Sequence, residues 1–449
     1  MSMYTKLVSN IIFPLHEKIK GHNTIQIHEQ MEQSQWLSSG ELQALQFENL
    51  RKFLCDIAEH VPYYQNLFSG LNFDPANLES ITDLQKLPFL DKPEIRANME
   101  AMKALNATHL QRFNTGGSSG EPLIFYLGKN RVSHDVAAKR RATRWWGVDI
   151  GDPEIVIWGS PIELGSQDRI RLIRDKLFRT ELFSAFEMSN ESLDTFIKNI
   201  KHKKPKMLFG YPSSLALIAE HAQKNSSSLD SLGIKVVFVT SERLYDYQRE
   251  QIEKTFGCPV ANGYGGRDAG FIAHQCPSGS MHITSEDIVV EIIDAEGNVL
   301  PAGQSGEITV THLATREFPF VRYRTGDIGV LSDEACACGR GLPVLKSIEG
   351  RTTDFVVAQD GTIVHGLALI YVLRDIHDVQ SFKIIQESLD QIRVQLVVGA
   401  EYDTATEQLI IDTFRQRLGD SISVEFSYVA DIPREKSGKY RYIVSHVTR

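Results

Sequence analysis

Apolar side chains recur at helical spacing through the first part of the chain. In ELQALQFENLRKFLCDIAEH, Glu41 to His60, they fall along one face of a helical period, and VPYY ends the run. Residues 1 to about 105 are therefore expected to be mostly helical. A further helix is expected in RVSHDVAAKRRATRWWGV, closed by Gly147 and followed by a turn and a buried strand in GDPEIVIWG. From there two textures alternate. Helix-spaced segments (LDTFIKNIKH, SLALIAEHAQK, RLYDYQREQIEKTF) are separated by short apolar runs (KMLFGY, IKVVFVTS) of the kind that form buried strands. Such alternation predicts a mostly parallel sheet covered by helices on both faces.

The pattern changes near Ile283. DIVVEIIDAEGNVLPAGQSGEITVTHL reads as strand, turn, strand, with Gly297-Asn298 and Gly303 to Gly306 as turn chemistry, which predicts antiparallel β structure. Beyond Gly350, RTTDFVVAQDGTIVHG opens a last unit with strands and the helix TEQLIIDTFRQRL. The expected fold is α/β. A large N-terminal domain, residues 1–350, holds parallel-rich sheets with helices and a β-rich subdomain at 283–350. Residues 351–449 form a small, mobile C-terminal α/β lid, a plausible size for an independent unit.

Composition narrows the function classes. A formal charge of −9 gives no global field for nucleic acid, and KHKKPK, Lys201 to Lys206, reads as a solvated helix end. No apolar leader-like stretch follows Met1 and no run reaches membrane-spanning length, so no membrane insertion is expected. Five unevenly placed cysteines do not make a disulfide framework, which points to a reducing, cytoplasmic setting.

The stretch FNTGGSSGEPLIFY interrupts this regularity. Thr115, Gly116, Gly117, Ser118, Ser119 and Gly120 form poor helix and poor strand; they suit a linker, a tight turn or a loop whose backbone N–H groups wrap an anion. It is not a Walker A loop, because Glu121 and Pro122 stand where that motif needs lysine. Four motifs follow it in order: YGGRDAG from Tyr264, RYRTGDIG from Arg322, EGRTTDFV from Glu349 and PREKSGKYR from Pro433.

This ordered set resembles the adenylate-forming superfamily of acyl-CoA synthetases, luciferases and peptide-synthetase adenylation domains. HVPYYQNLF, LPFLDKPEIRAN and CACGRGLP make it similar to the phenylacetate–CoA ligase branch and its relatives from capsular-polysaccharide gene clusters. The resemblance spans nearly the whole chain. It implies an ATP-dependent, AMP-forming ligase that joins a carboxylic acid to an acceptor through an acyl-adenylate. The acceptor is either an amine of a sugar or amino acid in surface-polysaccharide synthesis, or the thiol of coenzyme A. A catalytically idle nucleotide-binding scaffold of the same fold is the third alternative, favoured by Asp268 in place of the usual glutamate and by Leu123 where a loop lysine usually stands.

The resemblance also distributes roles. The Thr115–Gly120 loop would cradle the β- and γ-phosphates, and Glu242, in TSERL, would lie by the adenine pocket. Tyr264 would stack on adenine beside Gly265, Asp268 would bind Mg²⁺, Asp327 would accept the ribose hydroxyls and Arg351 would lie beside the nucleotide. Asp354 falls near the domain hinge, and Lys439 matches the lysine that reaches the α-phosphate. The acyl substrate and the oligomeric state have no readable code.

A second constellation concerns metal. Cys276 and His282 in HQCPSGSMH, with Cys336 and Cys338 in CACG, offer soft ligands in two turn-flanked groups that suit a structural, tetrahedral zinc; His274 is a reserve ligand. Unrelated reduced thiols are the alternative. Cys55 and Cys258 read as ordinary buried cysteines, the arginines of KRRATRWW as an exposed helix face, and Trp145 and Trp146 as core.

Overall fold

A computed structural model describes residues 2–115, 123–158, 169–185, 188–351, 355–361, 363–365, 367–374, 376, 378–399, 402–433 and 440–447. The chain forms two compact units, Met1–Glu349 and Gly350–Arg449.

The first unit begins with helices. Ser39–His60 starts at a capping box in which the Glu41 amide donates to Ser38 Oγ and the Ser38 amide donates to Glu41 Oε2. It stops because Pro62 forces Val61 into extended backbone and then opens the next helix, Pro62–Leu71, at its first position. Leu50, Phe53, Leu54 and Ile57 of the longer helix pack with Tyr64, Phe68 and, from the sheet region, Val289, Leu313 and Val321.

A short hairpin of β1, Gln111–Asn114, and β2, Ile124–Leu127, precedes the main sheet. The main sheet then takes β3 Glu154–Trp158, β4 Thr180–Ser184, β5 Met207–Gly210, β6 Val236–Thr240, β7 Val260–Gly266, β8 Gly270–Gln275, β9 Met281–Ile283, β10 Ile288–Ile293, β11 Ser305–His312, β12 Tyr323–Ser332 and β13 Val344–Arg351. Their order is β10-β11-β12-β13-β9-β8-β7-β6-β5-β3-β4. From β4 to β7 neighbours run parallel; at β7–β8 the pairing turns antiparallel, and the β-rich stretch continues this same sheet.

Alternation along the parallel strands explains why both faces are covered. Ile155, Leu208, Val237 and Val239 pack with Leu215, Ile218, Ile252 and Phe256 of the helices Pro212–Lys224 and Asp246–Phe256. Met207, Phe209, Val236 and Phe238 face the other way and meet Ala142 of the helix Lys129–Trp145.

Two expectations need correcting. Arg140 and Arg141 are buried, not exposed: their helix is sandwiched between the sheet and the helix Thr24–Ser34, and the charges are paired with Asp149 and Glu286. Cys55 is exposed, since it lies off the apolar stripe of its helix, whereas Cys258 is buried. Trp145 and Trp146 are half-buried, and KHKKPK does end the helix Asn190–Lys203.

In the second unit, Val379–Ser388 pairs antiparallel with Gln391–Val398, which pairs parallel with Ser423–Tyr428; Ile443–Ser445 adds to the other side in parallel. Phe382, Ile384, Ile392, Val394 and Leu396 are buried there, as are Ile410, Phe414 and Leu418 of the helix Thr404–Leu418. Among the described residues, no helix is long and apolar enough to cross a membrane.

Candidate active site and cysteine cluster

Ligand sites in open α/β sheets gather beyond the carboxyl ends of the parallel strands. Here register fixes that edge: Gly210 of β5 lies opposite Val239 of β6, and Thr240 lies opposite Gly263 of β7. Tyr211 and Ser241-Glu242 follow the ends of β5 and β6, and Tyr264 is the residue of β7 just beyond Gly263. The Ser213 amide, in the first turn of Pro212–Lys224, donates to Glu242 Oε2 at 3.2 Å, so this carboxylate caps a helix N-terminus. Arg243 donates to the Glu349 carbonyl, and Ser305 Oγ lies 2.7 Å from Glu349 Oε2.

The turn between β7 and β8 carries Asp268. It is tight because Gly265 approaches the Gly270 carbonyl so closely that a Cβ would stand 2.0 Å from that oxygen. Gly270 itself has φ +92°, with His312 filling the space a side chain would need. Arg131, fully buried, holds the turn from below. Its guanidinium donates to the carbonyls of Arg267 and Asp268, each at 3.3 Å, and its Nε donates to Asp135 at 2.9 Å. Burial, and then the Arg131 charge, push His312 down to about 4, so the imidazole beside the turn is neutral.

Two tyrosine–carboxylate bonds cross the site. Tyr264 Oη donates to Asp327 Oδ2 at 2.9 Å, and Tyr323 Oη donates to Asp268 Oδ2 at 2.8 Å. The first joins β7 itself to β12, and the second joins the β7–β8 turn to β12. Three strands separate β7 from β12 in the sheet order, which would set them about 19 Å apart in a flat sheet. The sheet therefore coils strongly here. Asp268 Oδ1 also accepts the Ala269 amide at 3.1 Å. A carboxylate offers about four lone-pair sites, and these two bonds to Asp268 use one on each oxygen.

Around Asp327 the remaining RYRTGD residues are structural. Arg322 is buried against Glu291, Arg324 pairs with Glu307, and Thr325 Oγ1 donates to the Ile308 carbonyl while accepting the Asp327 amide. Thr115 closes the β1–β2 hairpin: its amide donates to the Leu123 carbonyl and its Oγ1 accepts the Leu123 amide, both at 2.9 Å. Gly116, Gly117, Ser118, Ser119 and Gly120 lie outside the described residues, as do Asp354 and Lys439; Arg351 is described by its backbone at the end of β13. Arg131, Tyr323 and His312 were not among the sequence candidates.

Cys276, His282, Cys336 and Cys338 come together with their ligand atoms all within 4.8 Å of one another. Cys276 follows β8, His282 is on β9, and the other two belong to the β12–β13 loop. The sulfurs of Cys276 and Cys336 are 3.7 Å apart, far beyond a disulfide, and Cys338 Sγ is 3.2 Å from His282 Nε2. With zinc–sulfur bonds of about 2.3 Å, a tetrahedron has edges of about 3.8 Å. His282 Nδ1 donates to the Leu342 carbonyl at 3.1 Å, which leaves the Nε2 lone pair facing the cysteines. Burial lowers its pKa and keeps the ring in the neutral, ligating form. The donor set and spacing fit a structural zinc ion. His274 stays apart, its ring stacked on Phe271.

The sequence matches the profile of the AMP-binding enzyme family over residues 183–314 and that of the CapK C-terminal domain over 356–446. It is 26% identical to Protein CapK of Staphylococcus aureus over 415 residues, covering 90% of this chain and 89% of that protein. It is 23% identical to a phenylacetate-coenzyme A ligase of Thermus thermophilus over 445 residues, covering 90% and 96%. In fold it is similar to 2-hydroxyisobutyryl-CoA ligase in the postadenylation state, with a TM-score of 0.74 at 20% identity, over 92% of this chain and 91% of that one. The chain belongs to the adenylate-forming ligase superfamily, on the branch that holds CapK and the phenylacetate–CoA ligases.

Proposed function

We propose that the protein activates a carboxylic acid with ATP and passes the acyl group to an amine of a sugar or amino acid, releasing AMP. The crossed pairs Tyr264–Asp327 and Tyr323–Asp268 carry this reading, because they hold two carboxylates in fixed orientation at the ligand edge of the sheet.

In the first step a substrate carboxylate oxygen attacks the α-phosphorus, an acyl–phosphate bond forms, and pyrophosphate leaves. Asp327 accepts the ribose hydroxyls and Tyr264 presents its ring to adenine. Glu242, Gly265 and Arg351 line the nucleotide. Gly116, Gly117, Ser118, Ser119 and Gly120 direct N–H and hydroxyl donors at the departing pyrophosphate, Thr115 adds its hydroxyl hydrogen, and Lys439 brings a cation to the α-phosphate. Asp268 would hold Mg²⁺, which when bound would supply positive charge beside the phosphates. In the second step the acceptor nitrogen attacks the acyl carbonyl, an amide forms, AMP leaves and the nitrogen gives up a proton. Asp354 serves as the hinge between the two steps. Cys276, His282, Cys336 and Cys338 hold zinc as a staple with no open position for substrate.

The amine reading rests on the resemblance to the capsule-cluster relatives, beside which the matches to Protein CapK and to the CapK C-terminal domain set this chain. A second reading, transfer to the thiol of coenzyme A, is supported by relatives named as phenylacetate-coenzyme A ligases. The test is mass-spectrometric product detection with ATP, Mg²⁺ and pooled carboxylic and amino acids, run with amino-sugars, with coenzyme A and with neither, and Lys439→Ala as control. An amide with AMP is expected. A thioester formed only with coenzyme A replaces the first reading by the second, and no AMP under any condition removes both.

A further inference from the structure

The first helix is inside out. Met3–Leu7, the π turn Val8–Ile12 and Phe13–Lys20 run on as one continuous helical segment. Its buried side is largely polar. Thr5 donates to Asp152 at 2.8 Å, Ser9 to Asp149 at 2.9 Å, and Glu17 accepts from Thr24 and lies 3.1 Å from His22 Nδ1. Its outer side carries Met3, Leu7, Ile11, Leu15 and Ile19, each between 45% and 90% exposed.

These five fall at every fourth position. In an α-helix a four-residue step drifts by about 40°, so such a stripe would spiral away; the looser π turn in the middle takes part of that drift back. The stripe is about 24 Å long at α-helical rise. A neighbouring helix, Arg169–Phe178, widens it. Tyr4 Oη donates to the Leu177 carbonyl at 2.9 Å, Phe178 packs edge-on to Phe13, and Leu172, Ile173 and Leu177 are exposed.

Charge decides what could cover this face. The segments 3–20 and 169–179 carry eight lysines and arginines against two acids, in a chain whose net charge is −9. Lys6, Lys18, Lys20, Lys176 and Arg179 are exposed. A second copy docking through the same face would bring two basic rims together, which costs energy. An anionic lipid surface neutralises the rims while its acyl boundary takes up the aliphatic stripe.

We propose that this face docks the protein on an anionic membrane, with the Met3–Lys20 helix lying in the plane of the headgroups. Among the described residues no helix is long and apolar enough to span the bilayer, and the surface is independent of the ligase reading.

The test is co-sedimentation of the full chain with vesicles of phosphatidylglycerol and phosphatidylcholine, against pure phosphatidylcholine, alongside sedimentation equilibrium without lipid. The protein should pellet with the anionic vesicles and should release at high salt. Ile11→Glu with Ile19→Glu should abolish pelleting. Replacing Lys6, Lys18 and Lys20 with glutamine should weaken it roughly 100-fold. Both variants should keep the melting temperature and the ATP–pyrophosphate exchange rate, since the side chains are exposed. Failure to pellet with anionic vesicles overturns the proposal, as does pelleting that both variants leave unchanged. A dimer that the Ile11/Ile19 variant splits assigns the face to a second copy instead.

Discussion

Tyr323 donates a hydrogen bond to Asp268 at 2.8 Å, joining a buried residue of β12 to the turn after β7. The tyrosine ring packs in the core beside Ala269 and Phe320, so its hydroxyl is a fixed donor and the carboxylate orientation depends on it. Hydrogen bonds to charged groups contribute about 1.5–3 kcal/mol. Tyr323→Phe should therefore slow ATP–pyrophosphate exchange roughly tenfold and raise the Mg²⁺ concentration needed for half-maximal rate, with little change in melting temperature. Asp268→Asn should cost roughly 10²–10³-fold, as removal of a charge that serves the transition state does. Equal effects of the two substitutions on rate, with no shift in Mg²⁺ dependence, would count against an orienting role for Tyr323.

Gly270 is the backbone counterpart of that bond. At φ +92°, with His312 atoms 2.6 Å from where a Cβ would stand, even alanine forces the turn and the histidine apart. The displaced turn would lose the Arg131 bonds that fix Asp268. Gly270→Ala is expected to lower stability by about 2–4 kcal/mol and to abolish exchange, measured by urea unfolding and by pyrophosphate release. A variant with wild-type midpoint and rate would show that the turn relaxes freely.

The signals legible along the chain were local ones. Apolar runs mark the parallel strands, and YGGRDAG and RYRTGD mark a strand with its turn and a second strand whose side chains do meet. The soft ligands Cys276, His282, Cys336 and Cys338 could be grouped because turn residues flank each pair. Partners distant along the chain left no such mark. Arg131 serves carbonyls more than a hundred residues away, and nothing around it in the helix Lys129–Trp145 distinguishes it from a solvated arginine. Arg140 and Arg141 look solvated along the chain for the same reason: their helix is polar in composition, and burial is favourable only because Asp149 and Glu286 arrive from other elements. The Met3–Ile19 stripe is the converse, aliphatic residues at helical spacing that face outward because the polar side of that helix has the better partners.

The cysteine cluster should bind one zinc ion per chain, measurable by elemental analysis of the purified protein. Cys338→Ser removes one ligand and leaves two thiols and an imidazole with no shared cation. Loss of a structural metal costs on the order of 4 kcal/mol or more, roughly 5–10 °C in melting temperature for a unit of this size. At temperatures where the variant stays folded, exchange activity should persist, because a closed four-ligand site offers substrate no position. Metal-free protein with the wild-type melting temperature would remove zinc from the account.

His312 supplies a pH dependence whose sign is fixed by its surroundings. The ring is fully buried, and burial together with the Arg131 charge lowers its pKa from 6.5 to about 4. In the unfolded chain it returns to the ordinary value. The folded state then binds fewer protons than the unfolded state between those limits, so acid favours unfolding. This contribution is fully present above about pH 6.5 and is lost progressively as pH falls towards 4. One pKa unit corresponds to about 1.4 kcal/mol, so the single histidine should remove about 2 kcal/mol between pH 6.5 and 5. Urea midpoints measured across that range should fall for the wild type, and His312→Gln, though less stable at neutral pH, should show a shallower slope. The loss matters to function because His312 fills the space against Gly270, in the turn that carries Asp268. Exchange activity should therefore decline over the same acid range as the midpoint, and with the same dependence on residue 312.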